Sequence, residues 1–356
     1  MLRTAVPLLI LIQGVAAQAN ATGEPAGSVR TAAVAAGKSC PNKAITPPAT
    51  GHFDLEFRHR LTNKTKRSLA DIRIYVPVPE DTSRQKVTEL VWLSGGKPTK
   101  VTIKEDQYGQ RVASFRRQRL PAAGDLTVGY RCRAALSMPP KVKLPELSAA
   151  DIKRIPKDVR SVYTRDVRRV YGLNSPLIQS KARELAAGHK NLADRVRAIY
   201  DFVAQDLTYR REGGWDPAPK VLARKNGSCS EFSYLFSSLC RANGIPTRFV
   251  GATMFRPKEV EDYPYVDKIW HRWVQVYFPD VGWVHMDPTR DRGKNAKHEF
   301  FGRQPGPSLV LSHHGGRSKY LGNHYVSADN QSSKQVKRVR RFLWTPVSAK
   351  PQANQR

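Results

Sequence analysis

Residues 226–246 read NGSCSEFSYLFSSLCRANGIP, and their pattern organises everything around them. Phe232, Leu235, Phe236 and Leu239 recur at three- and four-residue spacing, which predicts a helix over Ser230–Ala242 with one apolar stripe. Asn243-Gly244 closes it and Pro246 prevents its continuation. Cys240 flanks the stripe and reads as a core residue, whereas Cys229 precedes it and sits where the helix begins. Unsatisfied N–H groups point there and the helix dipole favours negative charge, so a thiol in that seat is made more acidic. Gly227 permits a tight approach to the helix start. If Cys229 and Cys240 share one helix they lie about 16 Å apart, too far for a disulfide, which needs Cα atoms within about 7 Å.

Downstream, Thr247–Gly251, Trp270–Phe278 and Gly282–Met286 read as strands, with Pro279, Asp280 and Gly282 turning the chain between the last two. Period-two alternation puts His271 on a face with Trp273 and Gln275, and Asp287 on a face with Trp283 and His285. A turn centred on Pro279 pairs residue 271 directly with residue 287, with Cβ atoms about 5 Å apart. A carboxylate would then fix the tautomer and orientation of an imidazole base, as nucleophilic catalysis requires. A turn shifted by one residue removes that direct pairing. His285 competes as the base, but it lies two positions from Asp287 on its own strand and is less suited to stand between carboxylate and thiol. Before these elements, Leu192, Val196, Ile199, Tyr200 and Val203 predict an amphipathic helix.

The N-terminus has a basic residue at Arg3, an apolar run from Ala5 to Val15 and small residues at Ala16, Ala17 and Ala19. This is a signal-peptide pattern, too short for a confident membrane span. The expected organisation is a signal peptide over 1–19, a flexible leader over 20–50, a β-rich domain over 51–138, a basic connector over 139–190, a catalytic domain over 191–300 and a basic extension over 301–356. Short alternating stretches such as Phe53, Leu55 and Phe57, then Ile72, Ile74 and Val76, give the first domain the look of a small β-sandwich. Val336–Trp344 reads as one last strand.

The 356 residues carry a formal net charge of +30, with basic concentrations at Lys153–Arg169 and Lys334–Arg341. That balance suits an anionic cell-surface polymer or other polyanion, or is a solvated basic face. No zinc-finger, leucine-zipper or RNP-type segment occurs, so sequence-specific nucleic-acid binding is not expected. Cys40 and Cys132 are left open as a pair. The four cysteines lack metal-cassette spacing, and His313, His314 and His324 do not supply it. Asn63-Lys64-Thr65 is formally a glycosylation triplet and reads as a turn.

Three segments together resemble the transglutaminase-like superfamily. Gly227-Ser228-Cys229-Ser230-Glu231 with Leu239–Pro246 resembles its cysteine region, Trp270-His271-Arg272-Trp273-Val274 its histidine region, and Gly282–Thr289 its aspartate region. The likeness covers about residues 190 to 292; the β-rich region is similar to the domain often found upstream in bacterial members. The resemblance implies an α+β fold with a papain-like core, a nucleophile helix packed on an antiparallel sheet, preceded by the small β-sandwich. It implies Cys229 as nucleophile, His271 as base and then acid, and Asp287 as orienting carboxylate. Gly213-Gly214-Trp215-Asp216-Pro217 resembles the place of an oxyanion donor, where Trp215 is the better candidate because an ionised Asp216 would repel an oxyanion.

The expected reaction is thiol-dependent hydrolysis or acyl transfer at peptide or side-chain amide bonds through a thioester. A cell-wall or extracellular cysteine peptidase, or a non-catalytic polyanion-binding module, is the alternative. The triad does not choose between water and an amine as acceptor. The expected partner is a peptide or protein substrate, with no cofactor and no metal. The protein is expected to be exported to the periplasm, cell surface or exterior, and not integral to the membrane once the signal is cleaved.

Overall fold

The computed structural model describes residues 49–347 except 139, 168–169, 212–214, 257–261 and 296. The expected signal peptide, the leader up to residue 48, Cys40 and Gly213-Gly214 lie outside the described residues. Among the described residues no helix is long and apolar enough to cross a membrane.

The first half is built from β1 (Ala49–Asn63), β2 (Leu69–Pro77), β3 (Gln85–Ser94), β4 (Lys97–Pro98), β5 (Thr102–Glu105), β6 (Arg111–Leu120) and β7 (Asp125–Ser137). In β1 the alternation is plain: Phe53, Leu55, Phe57 and Leu61 are buried, while Asp54, Arg58 and Arg60 are exposed. That is the pattern of a sheet with one face on a core and one in solvent. Asn63 spends its side-chain amide on the backbone carbonyls of Arg67, Leu120 and Pro121 and is 1% exposed, so the triplet is a structural turn.

A run of helices follows a 3-10 turn (Ala149–Arg154): α1 (Lys157–Tyr163), α2 (Pro176–Ala186) and α3 (Leu192–Asp206). Then come β8 (Thr208–Tyr209), α4 (Ala218–Arg224), β9 (Asn226–Gly227) and α5 (Cys229–Ala242). The remainder is strands: β10 (Thr247–Met254), β11 (Tyr265–Asp267), β12 (His271–Phe278), β13 (Gly282–Met286), β14 (Ser308–His314), β15 (Ala328–Asp329) and β16 (Val336–Pro346).

The strand orders are β13-β12-β10-β14 for the sheet under α5, β11-β16-β1-β7-β3-β4 and β15-β2-β6-β5 for the sandwich, and β8-β9 for a short parallel pair. Helix α5 packs on β12 and β10, and Phe232, Leu235, Phe236 and Leu239 meet Val274, Val276, Val284 and Met286 in one core. Each such side chain contributes about 1.5–3 kcal/mol by leaving water. This is a mixed α+β architecture of helices packed on antiparallel sheet.

The boundaries differ from the contiguous blocks read from sequence. Helix α2, inside the expected connector, packs on α5, and β14, inside the expected extension, is the fourth strand of the core sheet. The sandwich is completed by β11, β15 and β16 from the far half of the chain, with Phe342 stacked on Phe57 at 4.7 Å and Trp344 edge-on to Phe53 at 5.2 Å. Strand pairing across such separations leaves no local signature, so composition cannot mark the ends of a block. The sandwich and core are also stitched together: the Gln85 side chain bonds both backbone groups of Val310, and the Trp344 indole donates to Thr253 Oγ1 at 3.0 Å.

Candidate active site

Ser228 is the N-cap of α5 and Glu231 the third helical residue, and the two close a capping box. The Ser228 N–H donates to Glu231 Oε2 at 2.8 Å, and the Ser230 N–H donates to Ser228 Oγ at 3.3 Å. The Ser-x-x-Glu spacing at 228 and 231 is the sequence signal for this box. Gly227 is required by it: a Cβ there would lie 2.4 Å from Glu231 Cβ. The turn into the helix is held from the other side by β8, where Tyr209 pairs with Gly227. Cys229 is therefore the first residue of a fixed helix, 8% exposed.

His271 opens β12. The approach to it is anchored by Asp267, whose carboxylate takes an ion pair from Arg256 at 2.6 Å and N–H donation from Ile269 at 3.0 Å. Asp287 follows the last residue of β13 and is fully buried. Its Oδ2 lies 2.5 Å from His271 Nε2, while Oδ1 accepts from the Thr289 N–H at 3.1 Å.

The expected direct pairing of 271 with 287 is corrected by the register. Phe278 pairs with Gly282 and Val274 with Met286, so the turn centres on Asp280, and Asp287 continues opposite residue 273. Asp280 inside the three-residue turn and Gly282 just after it take positive φ, 64° and 84°, a conformation that favours glycine or a short polar side chain and that the sequence pattern did not resolve. His271 and Asp287 meet nonetheless, because a diagonal neighbour two residues away stays within reach of long side chains.

The electrostatics join the thiol to this pair. Burial is the largest influence on Cys229 and pushes its thiol up, but the hydrogen bond and charge of His271, then the backbone N–H and charge of Arg272, pull it down, and the net direction is down. Burial disfavours protonated His271, yet the charge and hydrogen bond of Asp287, with those of Cys229, carry its pKa upward. The other thiols go the opposite way: burial pushes Cys132 up to about 12 and Cys240 up as well.

His285 is placed differently. Its Nδ1 accepts from the Trp273 indole N–H at 2.6 Å, its Nε2 lies 3.0 Å from Gln275 Nε2, and burial drives its pKa far down. It is a neutral strut beneath the sheet with both ring nitrogens occupied.

Trp215 lies on the approach to α4 and packs face-on to the Arg272 guanidinium at 4.3 Å, with His324 and Tyr325 at its edge. Two phenols near the sulfur went unremarked in the sequence. Burial and then the Cys229 charge raise both Tyr209 and Tyr325. Tyr325 reaches the site over Gly251, where a Cβ would be 2.3 Å from its own Cβ. Among the described residues no group of three or more His, Cys, Asp or Glu could hold a metal ion.

Residues 179–288 match the model of the transglutaminase-like superfamily. The uncharacterized protein YebA of Bacillus subtilis (strain 168) is 32% identical over 127 residues, which cover 32% of this chain and 17% of YebA. The chain thus spans about a sixth of the curated relative it matches. Among solved structures, a protein of Cytophaga hutchinsonii, provisionally described as a cysteine protease, superposes with a TM-score of 0.61 at 14% identity, covering 84% of this chain and 92% of that one. At that identity the likeness is one of fold.

Proposed function

We propose that this protein is an exported thiol enzyme acting on peptide or side-chain amide bonds, with Cys229 as nucleophile, His271 as base and then acid, and Asp287 as the orienting carboxylate. The observation that carries the reading is the imidazole seated on a buried carboxylate, with Asp287 Oδ2 2.5 Å from Nε2, and the same ring is the largest of the influences that draw the pKa of the Cys229 thiol down against its burial. With Nε2 committed to the carboxylate, Nδ1 is the nitrogen left for the thiol.

In this mechanism the imidazole takes the thiol proton and the thiolate attacks the amide carbon. The oxyanion is received by the Cys229 backbone N–H, with the Trp215 indole as second candidate. The imidazolium then gives its proton to the leaving amine. The thioester is resolved by water, which yields an acid, or by a second amine, which yields a new amide. Export is supported by the signal-like pattern of residues 1–19.

Alkylation with iodoacetamide across pH, mapped by mass spectrometry, tests the reading. Cys229 is expected to label selectively, with a midpoint well below the free-thiol value of about 8.5, and to lose that advantage in H271A. Equal slow labelling of Cys132, Cys229 and Cys240 overturns it. Ammonia release against amine incorporation on a peptide panel then separates hydrolysis from transfer.

A further inference from the structure

Asp287 lies one residue beyond the last rung of the ladder between β12 and β13, which pairs Val274 with Met286. The residue after it is Pro288, which has no backbone N–H to offer. The ladder therefore stops short of the peptide that carries this carboxylate, and two other contacts hold it. The Asp287 N–H donates to the Phe300 carbonyl at 3.1 Å, and the Asp287 carbonyl accepts from Tyr200 Oη at 2.9 Å.

Tyr200 belongs to α3 and is fully buried. Its ring stands edge-on to Phe301 at 5.1 Å and to Phe236 at 6.0 Å, and Phe236 is part of α5, the helix that Cys229 opens. The same hydroxyl lies 2.5 Å from Asp291 Oδ2. Asp291 is 6% exposed; its Oδ2 also accepts from the Phe300 N–H at 2.8 Å, and its Oδ1 accepts from the Glu299 N–H at 3.1 Å. Three donors offset the loss of water at this buried carboxylate. Burial, then the charge and hydrogen bond of Asp291, push the Tyr200 phenol up, so the hydroxyl keeps its proton and serves both acceptors as a shared donor.

These contacts close on themselves. Tyr200 reaches the Asp287 carbonyl and Asp291, Asp291 takes the Phe300 N–H, and Phe300 returns its carbonyl to the Asp287 N–H. Both polar groups of the Asp287 main chain are thereby tied, one of them to a ring that packs on the helix of the thiol. A displacement of about 1 Å in a catalytic constellation can cost about 100-fold in rate, so this tie bears on chemistry as well as on folding.

We propose that Tyr200 and Asp291 are positioning residues, which together hold the main chain of Asp287 where its carboxylate orients His271 towards Cys229. This rests on Cys229, His271 and Asp287 being the catalytic set. A buried network that only stabilised the fold would lower the melting temperature of its variants and leave the ionisation of the thiol unmoved.

The test is the pH profile of Cys229 alkylation by iodoacetamide in the full chain, for Y200F, D291N, D287N and the double variant Y200F/D287N, each checked for folding by circular dichroism. I74A, which opens a cavity at a fully buried residue of the sandwich core, is the control for lost stability alone. Y200F removes one oxygen atom. It is expected to raise the midpoint by about half a pH unit, making alkylation about threefold slower below it while leaving the high-pH plateau intact. D291N is expected to shift the midpoint in the same direction. In the D287N background Y200F is expected to add no further shift, because the tyrosine acts through the carboxylate. A folded Y200F with the wild-type midpoint overturns the proposal; if Y200F does not fold, D291N with the wild-type midpoint does so. A Y200F shift undiminished in the D287N background overturns it too, as does an I74A shift as large as that of Y200F. D287N at the wild-type midpoint, or a wild-type Cys229 no more reactive than Cys132 and Cys240, would instead remove the catalytic reading on which the proposal rests.

Discussion

Asp287 divides its two oxygens between two tasks. Oδ2 orients His271, and Oδ1 accepts from the backbone N–H groups of Thr289 and Arg290, so the carboxylate cannot swing away from the ring. D287N keeps the shape and removes the charge. It is expected to lower thiol-dependent turnover by about 100-fold, read by steady-state kinetics, with circular dichroism unchanged. His271 also implies a pH dependence. Against the burial that opposes it, Asp287 and Cys229 raise its pKa from 6.5 to about 10. A group raised on folding contributes stability that is complete below its unfolded value and lost as pH rises through its folded one. The thermal midpoint of the wild type should therefore exceed that of H271Q most below pH 6.5 and converge on it towards pH 10, as calorimetry across that range will show.

For the elements, α5 was the most legible part of the chain, because an apolar stripe at helical spacing with a glycine stop has few other readings. Its seat was read less fully. Ser228 and Glu231 lie at capping-box spacing, and S228A is expected to cost about 1 kcal/mol in chemical denaturation. Leu235, on the buried face of the same helix, is fully buried, and L235A is expected to cost about 2–5 kcal/mol. The strands carrying His271 and Asp287 were also visible, but not their register, because a one-residue change in a turn leaves the alternation intact while moving every pairing. Tyr325 was beyond reach for a different reason: its neighbour across the site is the empty side of Gly251, and an absent side chain leaves no periodicity to read.

At the scale of the whole molecule, β1 is the central seam. It pairs with β7 on one side and with β16 on the other, from Phe53–Pro346 to Asn63–Val336. Truncation after Gln335 removes that second partner and strips Phe342 and Trp344 from the sandwich core. The truncated chain is expected to lose its cooperative melting transition and to be cut rapidly by trypsin at its many basic sites. The same seam bears on how the protein is made. During synthesis β1 leaves the ribosome with one backbone edge unmatched, and its proper neighbour arrives only after the helices and the core sheet have been translated. An open edge kept waiting that long is an invitation to pair with another nascent chain, so a holding chaperone should matter more for this polypeptide than for one that completes each sheet as it emerges.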